Sequence, residues 1–211
     1  MAPTFPESEY AAQEFCKVTL KNGAVTHKEF SRCVFIKCAF VETDFQSSVF
    51  QDCTFCDCDL SLIKVKNCAF TNTRFEDSKV IGVNWTDTTW EKAKRIALKP
   101  VLFAGCAINY SIFMGLNMRE IEIVRCIAKG VSFEEADMSK ANCTGTDFTS
   151  ARFHHTNLTE ADFTGATNYA IVASLNTLKQ TKFSLPEAMA LQDGLDIVLT
   201  DPQANPPATP E

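Results

Sequence analysis

The chain has 211 residues, enough for one sizeable core or two small ones, with 26 acidic against 20 basic side chains and a net charge of −6. That balance argues against a general nucleic-acid binder, which carries a basic surplus. The sequence opens without a basic-plus-apolar leader and nowhere runs through 18 apolar residues, so a soluble, cytoplasmic protein without membrane contact is expected.

Residues 1–10 precede the periodic region and, as a chain terminus, are expected to be disordered. From 11 to 90 a first block carries an unusual period. Between 30 and 90 every fifth residue is apolar: Phe30, Phe35, Phe40, Phe45, Phe50, Phe55, Leu60, Val65, Phe70, Phe75, Val80, Trp85 and Trp90. Neither a helix, with period 3.6, nor a flat strand, with period 2, accounts for this spacing. Two residues before most of these large side chains sits a small one, such as Cys33, Cys38, Thr43, Ser48, Cys53 and Cys58. One large and one small residue per five therefore face inward, and the other three positions carry nearly all the charge.

This pattern predicts an all-β solenoid whose backbone turns a corner every five residues. Four sides close a coil of about 20 residues, so residues 20 apart stack. Phe30, Phe50, Phe70 and Trp90 would form one column, and Phe35, Phe55 and Phe75 another. Cys53, Cys56 and Cys58 raise the question of zinc, but Cys53 and Cys56 fall on opposite sides of the wall and cannot share a metal. Seven of the ten cysteines occupy the small inward site and read as reduced, buried space-fillers; no metal or cofactor is expected.

Residues 91–102, EKAKRIALKPVL, interrupt the phase, because Trp90 to Phe103 is not a multiple of five. They read as a connector between two blocks, with four bases to one acid, serving either as a solvated loop or as part of a contact surface. The second block, 103–183, resumes three residues out of phase: Phe103, Ile108, Phe113, Met118, Ile123, Ala128, Phe133, Met138, Cys143, Phe148, Phe153, Leu158 and Phe163. All 17 Phe fall on one of the two phases, where chance would place about one in five.

The C-terminal part, 184–200, changes character. Ser184 and Glu187 have capping-box spacing and Pro186 suits a first helical turn, so a short helix is expected through AMALQD, with Gly194 ending it. Leu195, Ile197 and Leu199 then alternate like a strand. This apolar cap plugs the solenoid, and either ends a monomer or doubles as a two-fold homodimer interface through Leu185, Met189, Leu191, Leu195, Ile197 and Leu199. Residues 201–211, rich in Pro, are expected to be disordered.

No catalytic constellation emerges. His154 and His155 lie on outward positions beside Arg152 with no placed nucleophile, no Gly-rich phosphate loop occurs, and a solenoid wall offers no deep pocket. A slender acidic rod suggests instead a surface for protein partners. The acids concentrate in two stretches: Glu42, Asp44, Asp52, Asp57 and Asp59, then Glu134, Glu135, Asp137, Asp147 and Asp162. Lys64, Lys66, Arg74, Lys79, Arg119, Arg125 and Lys129 interrupt the outer faces. A two-ended dimer of about eight coils per arm would be roughly 80 Å long, with a width and acidity resembling a DNA duplex. An unrelated partner on a rigid scaffold is the other reading.

The repeats Ala136-Asp137-Met138, Thr146-Asp147-Phe148 and Ala161-Asp162-Phe163 resemble the consensus A(D/N)LXX of the pentapeptide-repeat proteins. The resemblance covers about residues 15 to 183 and implies a right-handed quadrilateral β-helix. At a finer level, Asp59-Leu60-Ser61-Leu62-Ile63, Gly82-Val83-Asn84-Trp85-Thr86, the mid-chain break and Phe183-Ser184-Leu185-Pro186-Glu187-Ala188 ahead of Leu195-Asp196-Ile197 look like the albicidin-resistance branch. That branch is related to the quinolone-resistance (Qnr) proteins and their mycobacterial counterparts. The resemblance implies a homodimeric, non-enzymatic DNA mimic that acts on DNA gyrase, with topoisomerase IV as a second target, without itself binding nucleic acid. Members of the group modulate the enzyme or protect it from a poisoning antibiotic. In one respect the sequence departs from many Qnr solenoids: neither block carries a large projecting loop.

Overall fold

The computed structural model describes residues 5–90 and 101–192. It is a right-handed, four-sided β-helix of about eight turns. Strands are short because each side is five residues long and ends in a corner. The first face carries β1 (Glu9–Ala11), β3 (Glu29–Ser31), β5 (Val49–Gln51) and β7 (Ala69–Thr71), all parallel. The second carries β2 (Glu14–Cys16), β4 (Val34–Ile36), β6 (Thr54–Cys56), β8 (Thr73–Glu76), β9 (Val101–Ala104) and β10 (Glu122–Val124), and is extended by β11 (Asp162–Phe163) and β12 (Lys182–Phe183). The third and fourth faces are ladders of single bridges, such as Lys79–Ala107–Ile127–Asp147 and Asn84–Ile112–Ser132–Arg152.

The coil repeat is 20 residues: Tyr10 pairs with Phe30, Phe30 with Phe50 and Phe50 with Phe70. Aromatic rings stack along the axis as the backbone rungs do. Phe15, Phe35, Phe55, Phe75 and Phe103 form one column with centroids 4.5–5.3 Å apart. Trp85, Phe113, Phe133 and Phe153 form a second, at 5.2–5.8 Å. Trp90 leaves the column expected for it. Its ring meets Trp85 and Phe113 edge to face, and its indole N–H donates to the Asn117 carbonyl at 2.8 Å.

Corners need the left-handed region. At most corners the residue two after the large side chain has φ between +48° and +68°, whether it is Gly82, Gly130, Glu42, Asp52 or Tyr110. L-residues enter this region only at a cost of roughly 1–2 kcal/mol, which the ladder bonds on either side offset. The small inward residues do more than leave room. Thr43 donates its hydroxyl to the Leu20 carbonyl, Ser48 to Val25, Thr73 to Phe50, Thr146 to Ile123 and Thr156 to Phe133. The thiols of Cys33, Cys38, Cys53, Cys58 and Cys68 make the same bond to Tyr10, Phe15, Phe30, Phe35 and Phe45. The expected space-fillers are therefore rungs of a side-chain ladder that ties each coil to the one before it.

Several boundaries move. The solenoid begins before residue 11, since Phe5 is buried edge-on against Tyr10, Phe15 and Phe30 and closes the N-terminal mouth of the core. The two blocks form one uninterrupted coil stack. Phe75 pairs with Phe103, a step of 28 residues where other coils take 20, so the phase break is an eight-residue insertion at a single corner. Val101 and Leu102, read as connector, open β9; residues 91–100 lie outside the described part.

At the C-terminal end the short helical cap is a 3-10 helix, Glu187–Gln192. The capping box does not form as expected. The Ser184 hydroxyl accepts from the Gly165 N–H of the neighbouring coil, while the Ser184 carbonyl accepts from Ala188 N–H, both at 2.9 Å. The Ser184 side chain therefore ties the cap to the solenoid. Gly194 and the alternating Leu195, Ile197 and Leu199 lie outside the described residues, as do 201–211.

Candidate partner-binding surface

The ten acids singled out from the sequence are distributed over all four faces. Asp52 and Asp137 lie on the first, Asp57 and Asp162 on the second, Glu42, Asp59 and Asp147 on the third, and Asp44, Glu134 and Glu135 on the fourth. Fold geometry explains most of these placements. Asp44, Asp59, Asp137, Asp147 and Asp162 each accept the backbone N–H two residues ahead at 2.9–3.1 Å, an Asx turn that holds the corner. Glu42, Asp52, Asp57 and Glu135 occupy left-handed corner positions, where Cβ projects away from the core.

Several of these carboxylates are engaged along the rod. Asp59 meets Lys79 at 4.0 Å, Asp162 meets Lys182 at 3.4 Å and Glu134 meets Arg152 at 3.2 Å. The Ser132 hydroxyl, then Arg152, holds the Glu134 carboxyl below the ordinary carboxylate range. Asp162 is held low by Thr164, against some burial, with help from Lys182. Burial pushes Asp147 up, but hydrogen bonds from Asn168 and Thr149 outweigh it. These groups keep their negative charge into mildly acidic solution.

His154 and His155 are exposed neighbours, with ring centroids 5.8 Å apart. Among the described residues no group of three His, Cys, Asp or Glu side chains could hold a metal ion, and no helix is long and apolar enough to cross a membrane. Cys53 and Cys58 are buried while Cys56 lies on the outer wall, so the Cys53–Cys56–Cys58 cluster divides between the two sides. Of the proposed dimer residues, Leu185 is 79% and Met189 47% exposed at the end of the rod, while Leu191 packs partly against the core.

One surface feature lies outside the acidic set. Leu62, Tyr110, Ile112, Met114 and Ile127 are large, apolar and exposed. Their signal was present in the repeat: each occupies an outward register position that in most other coils holds a polar or small residue.

One family model, described as "Pentapeptide repeat region", matches residues 28–113, and a second, "Pentapeptide repeats (8 copies)", matches 129–165. No curated protein matches in sequence. Among solved structures, a trypsin-treated form of QnrB1, a plasmid-mediated fluoroquinolone resistance protein, superposes with a TM-score of 0.65 at 15% identity. The match covers 89% of this chain and 100% of that one. Full-length QnrB1 gives 0.62 at 15% identity, over 90% and 100% of the two chains. At that identity the likeness is one of fold. The two repeat models together span more than half of the sequence, and their period is the one that builds the coils, so the chain belongs to the pentapeptide-repeat family.

Proposed function

We propose that this protein is a DNA-mimicking rod that binds a type II topoisomerase, DNA gyrase first and topoisomerase IV second, modulating it and protecting it from a topoisomerase-poisoning antibiotic. The observation that carries this reading is the match of the coil stack to the whole length of QnrB1, a protein described by its role in fluoroquinolone resistance. Acidic side chains spaced along a slender stack, with charges held at neutral pH, support it. The function needs no catalysis: the rod offers its partner a surface. The resemblance to the albicidin-resistance branch makes albicidin a drug to test beside a quinolone.

Purified gyrase, assayed for supercoiling with and without drug, tests the proposal. The protein should inhibit supercoiling or restore it in the presence of the poison. A variant carrying Asp52→Gly and Glu135→Gly should be weaker while melting no lower, because glycine tolerates the left-handed corners at both sites. No effect on gyrase supercoiling or on decatenation by topoisomerase IV, at any ratio, would remove the proposal. A second reading, a non-catalytic scaffold for an unrelated partner, is favoured by one observation: Asp59, Glu134 and Asp162 are each paired with a base, which mutes the acidity of three faces.

A further inference from the structure

The edge between the third and fourth faces differs from the rest of the rod. Tyr110 is 58%, Ile127 51%, Leu62 50%, Met114 44% and Ile112 38% exposed, and the ladder registers bring them together over about three coils. Leu62 and Tyr110 lie flat along the edge because the next coil offers a glycine in each case. A Cβ at Gly82 would sit 2.7 Å from Leu62 Cδ2, and one at Gly130 would sit 2.8 Å from Tyr110 Cδ1. The two glycines thus seat the exposed apolar side chains against the wall.

At one end of this strip lies a depression of about 320 Å³ lined by Leu62, Lys64, Lys66, Gly82, Asn84 and Asp87. Its origin is local. A 3-10 turn, Trp85–Asp87, follows Asn84 and turns the Asp87 carbonyl to accept from Asn67 N–H, so the fourth-face ladder is interrupted between Lys64 and Asn84. Among the described residues Lys64, Lys66 and Lys129 make no ion pair, whereas Lys79 is taken by Asp59. Asp87 is the opposing charge lining the depression; Asp44, the ladder partner of Lys64, and Glu42, one coil before Leu62 in the same corner column, are the acids on its outer side. Glu134 and Asp147, at the far edge, are turned to Arg152 and Ser132 and to Asn168 and Thr149.

We propose that this edge is a docking surface for an acidic, apolar, extended protein segment, distinct from the acidic surface of the rod. The apolar strip would take its hydrophobic side chains, and Lys64, Lys66 and Lys129 its carboxylates. Three coils at the strand spacing of about 4.8 Å span roughly 14 Å, the reach of an extended segment of about five residues. Nucleic acid fits less well, because a phosphate backbone leaves Leu62, Ile112, Met114 and Ile127 without partners and the chain as a whole carries −6. A basic surface would be repelled by the free lysines, so the occupant is an acidic protein segment.

The test uses the full chain and a fluorescein-labelled peptide, GDLEFDLG, followed by anisotropy. Controls are GKLKFKLG, which reverses the charge, GDSESDSG, which removes the apolar groups, and a short DNA duplex. Saturable binding of the first peptide alone, weakened by salt, is expected. Lys64→Glu with Lys66→Glu should weaken it at least about tenfold, as should Tyr110→Ser with Met114→Ser. Arg32→Glu with Lys37→Glu, at the two corners that flank the second face, should leave it unchanged. Circular dichroism and melting confirm that each variant is folded. The proposal is overturned by no saturation up to about 1 mM peptide, a range that reaches contacts worth about 4 kcal/mol, by equal binding of the basic peptide, or by preference for the duplex. Self-association lost in the Tyr110→Ser, Met114→Ser variant would assign the strip to a second copy and overturn it equally.

Discussion

Cys53 shows how one side chain serves the fold. It is fully buried, its thiol reaches back to the Phe30 carbonyl of the preceding coil, and burial pushes its pKa from 9.0 up to about 12. Burial does the same for Cys58 and Cys68, each to about 12. Below pH 9 these thiols keep their protons in both folded and unfolded chains, so their contribution to stability is fully present. As pH rises from 9 toward 12 the unfolded chain loses protons that the folded chain retains, and unfolding becomes easier. The urea midpoint should therefore be flat through neutral pH and fall across that window, with a shallower fall in Cys53→Ala. The outer thiols behave differently. Cys16 is exposed but donates to the Glu14 carboxylate, and Cys56, raised first by what burial it has, sits beside Asp57. Both are pushed above the ordinary thiol range, so only these two should react with a thiol reagent in the native state, slowly near neutrality and faster as pH rises. Rapid modification of more than two thiols in folded protein would show the inward register to be misassigned.

The element that matters here is the coil, and its two inward positions have separate duties. Large rings stack along the axis, while small hydroxyls and thiols cross-link consecutive coils through backbone carbonyls. Cys53→Leu would force a branched side chain into a column already filled by Cys33 and Thr73, and should cost about 1–3 kcal/mol. Thr146→Val keeps the volume but removes the 2.6 Å bond to the Ile123 carbonyl and the acceptor used by Cys126 N–H. Leaving such buried groups unpaired costs about 1–3 kcal/mol. Chemical denaturation of both variants separates the two duties. A Thr146→Val protein as stable as the parent would reduce the ladder to mere spacing. The coil was legible in the sequence because a five-residue period admits few structures. The hydroxyl and thiol ladder was not, since a small polar residue facing inward looks the same whether it fills space or donates. The continuity of the stack was also hidden: a phase shift of three reads equally as a linker between blocks or as an insertion within one coil. Pairing of Phe75 with Phe103 decides between them. Nor could charge counts along the chain reveal that Asp44, Asp59, Asp137, Asp147 and Asp162 hold corners, because that duty depends on a turn conformation.

At the scale of the whole molecule the rod has two unlike ends. Phe5 closes the N-terminal mouth, whereas the C-terminal end leaves Leu185, ahead of the 3-10 helix Glu187–Gln192, and Met189, within it, turned outward. Exposed apolar side chains on a terminal cap are the feature a two-fold contact needs, and a C2 dimer formed there would double the rod and match the symmetry of a two-fold topoisomerase. Eight coils at about 4.8 Å give an arm of roughly 40 Å, and two arms joined end to end would reach roughly 80 Å. Leu185→Glu with Met189→Glu would bring like charges together across the axis and should yield monomers. Neither side chain supports the stacked core, so the circular dichroism of the β-helix should persist. Sedimentation measured beside the supercoiling assay then separates two links. A variant that stays dimeric places the interface away from these residues. A monomeric variant that acts on gyrase at full potency would show that a single arm suffices, and that the mimic works through a local surface and not through the length of the rod.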